Sequence, residues 1–146
     1  MVNRITPSGS GAPYAGGCHC GSLRFAATLG PVDAGWCHCE TCRRTTGAPA
    51  LVWGSFPVGA FAYVKGEPAI YRSSSRGQRE FCAVCGAQVA YRELGAAIVD
   101  VNVGCLDRPE GIEPRCHLWT ASRIAWFETA DALPRFAGAA PERPRA

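Results

Sequence analysis

Cys37-His38-Cys39-Glu40-Thr41-Cys42 sets three cysteines within six residues, in the spacing C-x-C-x-x-C. Upstream lies the pair Cys18-His19-Cys20, and downstream the pair Cys82-Ala83-Val84-Cys85. Seven of the nine cysteines thus come in tight groups, a spacing that lets one turn present two sulfurs to a single ion. Structural zinc takes four tetrahedral ligands, whereas a zinc that works keeps three protein ligands and an open position. Seven therefore divides into four plus three. Cys18, Cys20, Cys82 and Cys85 are expected to close a four-sulfur site. Cys37, Cys39 and Cys42 are expected to hold a second zinc, giving two Zn2+ per chain. Phe81-Cys82-Ala83-Val84-Cys85-Gly86 reads as a zinc knuckle, with Gly86 free to take a positive φ at the turn.

Other arrangements of the thiols remain open at this level. Disulfides are one, although no export signal accompanies the cysteines. The triplet could also draw a fourth ligand from Cys105, Cys116, His38 or His117 and close a purely structural site. Cys18 and Cys20 could instead combine with Cys37 and Cys39. His19 and His38 sit inside C-x-C loops, where the intervening side chain points away from the ion. His117 lies in a segment that could reach the triplet, and a neutral imidazole can ligate zinc or carry a proton near neutral pH. Arg43 and Arg44 follow the triplet directly, where they could meet an anionic ligand.

The 146 residues fit one domain with a core of its own. The formal charge is +3, with every basic residue but Lys65 an arginine. Seven thiolates and two Zn2+ ions would bring that sum to about zero. The scattered arginines do not form a nucleic-acid surface. No apolar run is long enough to span a membrane. Metal-binding thiols point to the reducing cytoplasm.

Residues 1–13 are rich in Gly, Ser and Pro and are expected to be flexible, as is a tail over residues 137–146; the domain is expected over 14–136. Between those ends the chain alternates apolar and polar residues in short runs punctuated by Gly and Pro. Strands are expected over residues 22–28, 32–36, 50–56, 61–64, 69–72, 89–92 and 97–103, with a last one over 124–127. Residues 43–47 are read as one helical turn or a loop. No segment carries a clear 3.6-residue period, so the expected class is mostly β.

Taken in order, these residues resemble the glutathione-dependent formaldehyde-activating enzyme family, which includes the centromere protein V domain. The resemblance rests on Gly17-Cys18-His19-Cys20-Gly21-Ser22-Leu23-Arg24-Phe25 and on Cys37 through Pro49. It continues with Tyr71, Ser73-Ser74, Phe81 through Gly86, Gly104 with Leu106-Asp107, and Pro114 with His117. It ends on Ala125-Trp126-Phe127 and Asp131 through Phe136. It implies a β-tent fold of short antiparallel strands with zinc knuckles, and the four-plus-three division above. It also implies a carbon–sulfur lyase joining or separating a small-molecule thiol, such as glutathione, and an aldehyde, as in S-hydroxymethylglutathione. The competing class is a non-enzymatic zinc-stabilised binding module, which a closed second site would favour.

Overall fold

The computed structural model describes residues 14–141, so the segment read as flexible over 1–13 and the last residues of the tail lie outside the described residues. Ten strands and one α-helix follow in order: β1 (Tyr14–Gly17), β2 (Arg24–Ala27), β3 (Asp33–Cys37), α1 (Glu40–Thr46), β4 (Leu51–Pro57), β5 (Phe61–Lys65), β6 (Ala69–Arg72), β7 (Gly77–Phe81), β8 (Gln88–Glu93), β9 (Ile98–Asn102) and β10 (His117–Leu118). The fold is mostly β, as the sequence predicts. A three-stranded sheet runs β1-β2-β5, and a seven-stranded sheet runs β10-β3-β4-β9-β8-β7-β6. Every pairing is antiparallel except β10 on β3, which is parallel.

The core lies between the two sheets. Phe25, Ala27 and Phe61 from the small sheet, with Leu23 just before β2, meet Phe56, Ala90, Val99 and Val101 from the large one. Phe25 stacks on Phe61 at 5.3 Å, and Tyr14 meets Phe56 edge-on at 5.5 Å. Successive strand residues face opposite ways. In β9, Val99 and Val101 therefore enter this core, while Ile98, Asp100 and Asn102 line a cavity on the other face. In β4, Val52 and Phe56 take the core side and Leu51 and Trp53 the cavity side. Small residues let the two layers approach. A Cβ at Gly16 would lie 2.3 Å from the Cys105 carbonyl oxygen, at the point where β1 bridges to Leu106.

One polar group is buried in this layer with its partners. Glu80, 3% exposed, accepts from Tyr63 Oη at 2.7 Å, Arg92 Nε at 2.6 Å and Gln78 Nε2 at 3.2 Å. Burial and the neighbouring carboxylate push the Tyr63 phenol well above its usual range. Removing one member of such a set strands the others, at a cost of about 3–5 kcal/mol for a buried pair. Glu80→Ala is expected to lose ~3 kcal/mol of unfolding free energy in urea, and Glu80→Gln clearly less. Equal losses from both would show that the negative charge, rather than the hydrogen bonds, matters here.

Besides β1, β7 and β10, which the sequence reading does not mark as strands, three segments differ from it. The helical turn expected after the triplet is a two-turn helix that starts earlier, at Glu40. The strand expected over residues 124–127 is a turn. Phe127 N–H donates to the Ile124 carbonyl, and the Arg123 guanidinium collects the carbonyls of Ile124, Ala125 and Phe127. A curled backbone that points three carbonyls at one cation cannot also pair as a strand. At the other end, Gly138 and Ala137, which open the segment read as a tail, accept hydrogen bonds from the backbone N–H of Trp119 and Ala121.

Candidate functional site

The triplet is built by a strand running into a helix. β3 delivers Cys37, and Cys39 caps α1 with extended φ and ψ while its Sγ accepts the Cys42 N–H at 3.3 Å. Cys42 follows one turn into the helix, buried. The helix stops at Gly47, whose φ of 68° suits glycine and whose N–H caps the Arg43 carbonyl. The three sulfurs all lie within 4.8 Å of one another. Cys37 is pushed far above the usual thiol range, first because it donates a hydrogen bond to Cys39, then because of Cys42 and burial. Cys39 is pulled well below that range by the same bond, then by Cys42. The triplet thus gathers three sulfurs that share hydrogen bonds, which is the donor set a soft divalent ion takes.

The second group forms where two knuckles meet. Cys18, Cys20, Cys82 and Cys85 place their sulfurs within 4.8 Å of one another. Cys18 Sγ lies 3.6 Å from Cys20 Sγ, which lies 3.8 Å from Cys82 Sγ. Tetrahedral bonds of about 2.3 Å to a zinc-sized ion place sulfurs about 3.8 Å apart, so the spacing fits. Gly86 closes the second knuckle at φ 77° and donates to the Cys82 carbonyl at 2.8 Å. The Leu23 N–H donates to Cys18 Sγ at 3.2 Å. The structure therefore groups the cysteines four and three.

None of the alternative fourth ligands joins the triplet among the described residues. Cys105 Sγ faces the Gln88 carbonyl at 3.4 Å, and burial first, then the Cys18 and Cys85 charges, push its pKa up to about 11. Cys116 packs beside Cys37 and Cys42 but lies outside the set of converging sulfurs. His38 and His117 face the other side of the large sheet. Leu118 pairs with Cys37 and shares its face, so His117 and its partner Trp36 point away. There His38 Nε2 and His117 Nδ1 share a hydrogen bond of 2.8 Å, and His117 Nε2 reaches Asp131 at 3.1 Å. Trp36 stacks flat on His117 at 5.8 Å. Burial first, then the neighbouring His117, lowers the His38 pKa.

The triplet opens on a cavity of about 880 Å3 on the outer face of the large sheet. Trp53, Leu51 and Leu118 give it an apolar floor, and Ser73, Ser74, Arg76 and Arg79 a polar wall. Arg43, Arg44 and His117, the substrate-contact candidates of the sequence, are not among the residues lining it. Arg44 instead pairs with Glu40 at 2.7 Å on the exposed side of α1, and Arg43 is half-buried. The buried cation at the cavity is Arg79, only 7% exposed. Its Nη1 donates to Cys42 Sγ at 3.4 Å, its Nε to Ser73 Oγ at 3.2 Å, and its guanidinium lies over the Tyr91 ring at 4.4 Å. Arg79 and Glu80 are adjacent in a strand, and one of two such neighbours must face inward. That was the available signal. At the cavity rim Trp119 holds φ 58°, ψ 38°, a left-handed conformation that a bulky residue seldom takes. Hydrogen bonds from Trp119 N–H to Gly138 and from Thr120 N–H to Phe136 fix it there.

Comparison with known proteins agrees with this arrangement. An uncharacterized lyase of Schizosaccharomyces pombe is 31% identical over 86 residues, 53% of this chain and 56% of that protein. The chain thus matches about half the length of that relative. A Rhodobacter sphaeroides protein of known crystal structure superposes with a TM-score of 0.53 at 27% identity, covering 69% of this chain and 92% of that one. The profile of the glutathione-dependent formaldehyde-activating enzymes matches residues 13–122. With three-quarters of its length matched and both cysteine groups in place, the chain belongs to the glutathione-dependent formaldehyde-activating enzyme family.

Proposed function

We propose that the protein is a zinc-dependent enzyme of the carbon–sulfur lyase type. It would form or cleave an adduct of a small-molecule thiol and an aldehyde, such as S-hydroxymethylglutathione. One observation carries this reading: three converging sulfurs with no fourth protein ligand among the described residues, at the wall of an 880 Å3 cavity. Cys18, Cys20, Cys82 and Cys85 would hold a structural zinc, and Cys37, Cys39 and Cys42 a working one. A zinc with three protein ligands supplies one exchangeable position and lowers the pKa of a thiol that enters it.

The chain's own residues supply the rest. Trp53, Leu51 and Leu118 exclude water from the triplet side of the cavity, which strengthens every charge interaction there. Ser74 Oγ accepts from the N–H groups of Gly77 and Arg76 at 2.8 and 3.3 Å, which leaves its hydroxyl hydrogen to donate to a ligand oxygen. In the forward direction a carbon–sulfur bond forms as the aldehyde C=O becomes C–O, and the thiol proton ends on the new hydroxyl. No oxidant is needed. The reverse step releases aldehyde and thiol.

Protein purified without added metal is expected to carry close to two zinc ions per chain. It should also accelerate exchange between 13C-labelled formaldehyde and its glutathione adduct, followed by NMR. A single zinc after supplementation, or no acceleration with any thiol–aldehyde pair screened, would overturn the enzymatic reading and favour the binding module.

A further inference from the structure

Arg79 belongs to neither group of cysteines, yet it is the buried cation that touches one of them. Three of its features are unusual together. It is 7% exposed. Its guanidinium is held on three sides, by Cys42 Sγ, Ser73 Oγ and the Tyr91 ring. It also lines the cavity onto which the triplet opens. An arginine held this way has already given up its rotamer freedom and stays charged at any working pH.

The charge of the triplet explains what such a cation does. Three thiolates around a divalent ion leave about one net negative charge. Water or another neutral ligand in the fourth place leaves that charge unchanged, but an incoming thiolate doubles it. Beside the apolar floor of Leu51, Trp53 and Leu118 that second charge is repelled strongly. A guanidinium at hydrogen-bond distance from one of the sulfurs offsets it.

We propose that Arg79 is a positioning residue that tunes the triplet to accept an anionic ligand, favouring a thiolate over a neutral donor in the fourth place. This rests on the reading of the triplet as a three-cysteine metal site. The β7 strand that places Arg79 against the triplet continues to Cys82 in the other cluster, so the guanidinium is carried by backbone anchored within a few residues. The residue acts through the electrostatics of the site rather than by contact with the reacting carbon.

The test uses the full-length protein loaded with cobalt at both sites, because charge-transfer and ligand-field bands report ligand exchange directly. Wild type, Arg79→Lys and Arg79→Gln are titrated with 2-mercaptoethanol, the anionic probe once bound, and with imidazole, a neutral one. Arg79→Gln should weaken 2-mercaptoethanol binding at least tenfold while changing imidazole binding less than about threefold. Arg79→Lys should recover most of the thiol affinity, because it restores the charge. Ser73→Ala, which keeps the charge and loses one anchor, should fall between wild type and Arg79→Gln, and it tests the inference if the Gln variant folds poorly. Equal weakening of both probes in Arg79→Gln would mean a merely structural role and would overturn the inference. So would thiol binding unchanged in Arg79→Gln, a Lys variant as weak as the Gln variant, or a Ser73→Ala variant that binds thiol no more weakly than wild type. A wild-type protein that takes up a single cobalt would instead overturn the reading of the triplet, and the inference with it.

Discussion

Cys82→Ala is expected to lower the melting temperature by tens of degrees or to prevent folding, with the loss of one zinc per chain. Cys82 is 2% exposed and lies 62 residues from Cys20, whose sulfur it approaches at 3.8 Å. The cluster therefore joins the end of β7 to the turn between β1 and β2, across the two sheets. Structural zinc sites bind with about 10–16 kcal/mol in small peptides, which rivals the whole stability of a typical domain. Losing one of four sulfurs forfeits much of that and leaves three thiols, Cys18 buried among them, without their ion. Cys39→Ala should behave differently. Its site spans six residues of local chain, and the structural loss is a helix cap worth about 1 kcal/mol. Thermal melts with zinc analysis on both variants decide this. Equal and large losses would mean that the triplet is also structural.

The division of the cysteines was legible because it is local chemistry. A C-x-C or C-x-x-C pair commits its two sulfurs to one ion within a single turn, and only the pairing of the distant pairs needed the fold. Seven of the ten strands were legible, β9 most clearly, where Val99 and Val101 alternate with Ile98, Asp100 and Asn102 and a period of two shows in the letters. β10 was not, because two residues carry no period, and a parallel pairing with β3 depends on contacts made far along the chain. α1 has two turns, too few for a 3.6-residue pattern to show.

The cavity was the least legible part. Adjacency to the triplet made Arg43 and Arg44 the natural cations, but Arg44 pairs with Glu40 on the exposed side of α1 and the half-buried Arg43 does not line the cavity. His117 lies in a segment that could reach the triplet, yet its register against Trp36 sends it to the opposite face. Arg79 comes 37 residues after Cys42, and only the order of strands in the sheet brings it back. Local spacing encodes ligands; the wall around them is assembled by topology.

Glutathione titrated into the cobalt-loaded protein is expected to strengthen the sulfur-to-metal charge-transfer bands, and this is the largest functional effect foreseen. Three protein sulfurs leave the fourth place to an exchangeable ligand, and a thiolate suits a zinc-type site better than water does. A thiol must shed its proton to bind. Apparent affinity should therefore rise about tenfold per pH unit and level off near the free thiol's own pKa, about 8.5 for a cysteine thiol. The sign is fixed by this linkage: lowering the pH returns the proton to the thiol and releases it. Cys37→Ala, Cys39→Ala and Cys42→Ala should each abolish the response and reduce any thiol–aldehyde exchange activity at least a thousandfold. Cys105→Ala, whose sulfur faces the Gln88 carbonyl instead, should leave both intact. Bands already typical of four sulfurs at both sites, unmoved by any thiol at any pH, would identify a closed second centre. The protein would then be a zinc-stabilised binding module, and the cavity beside the triplet would need a ligand of another kind.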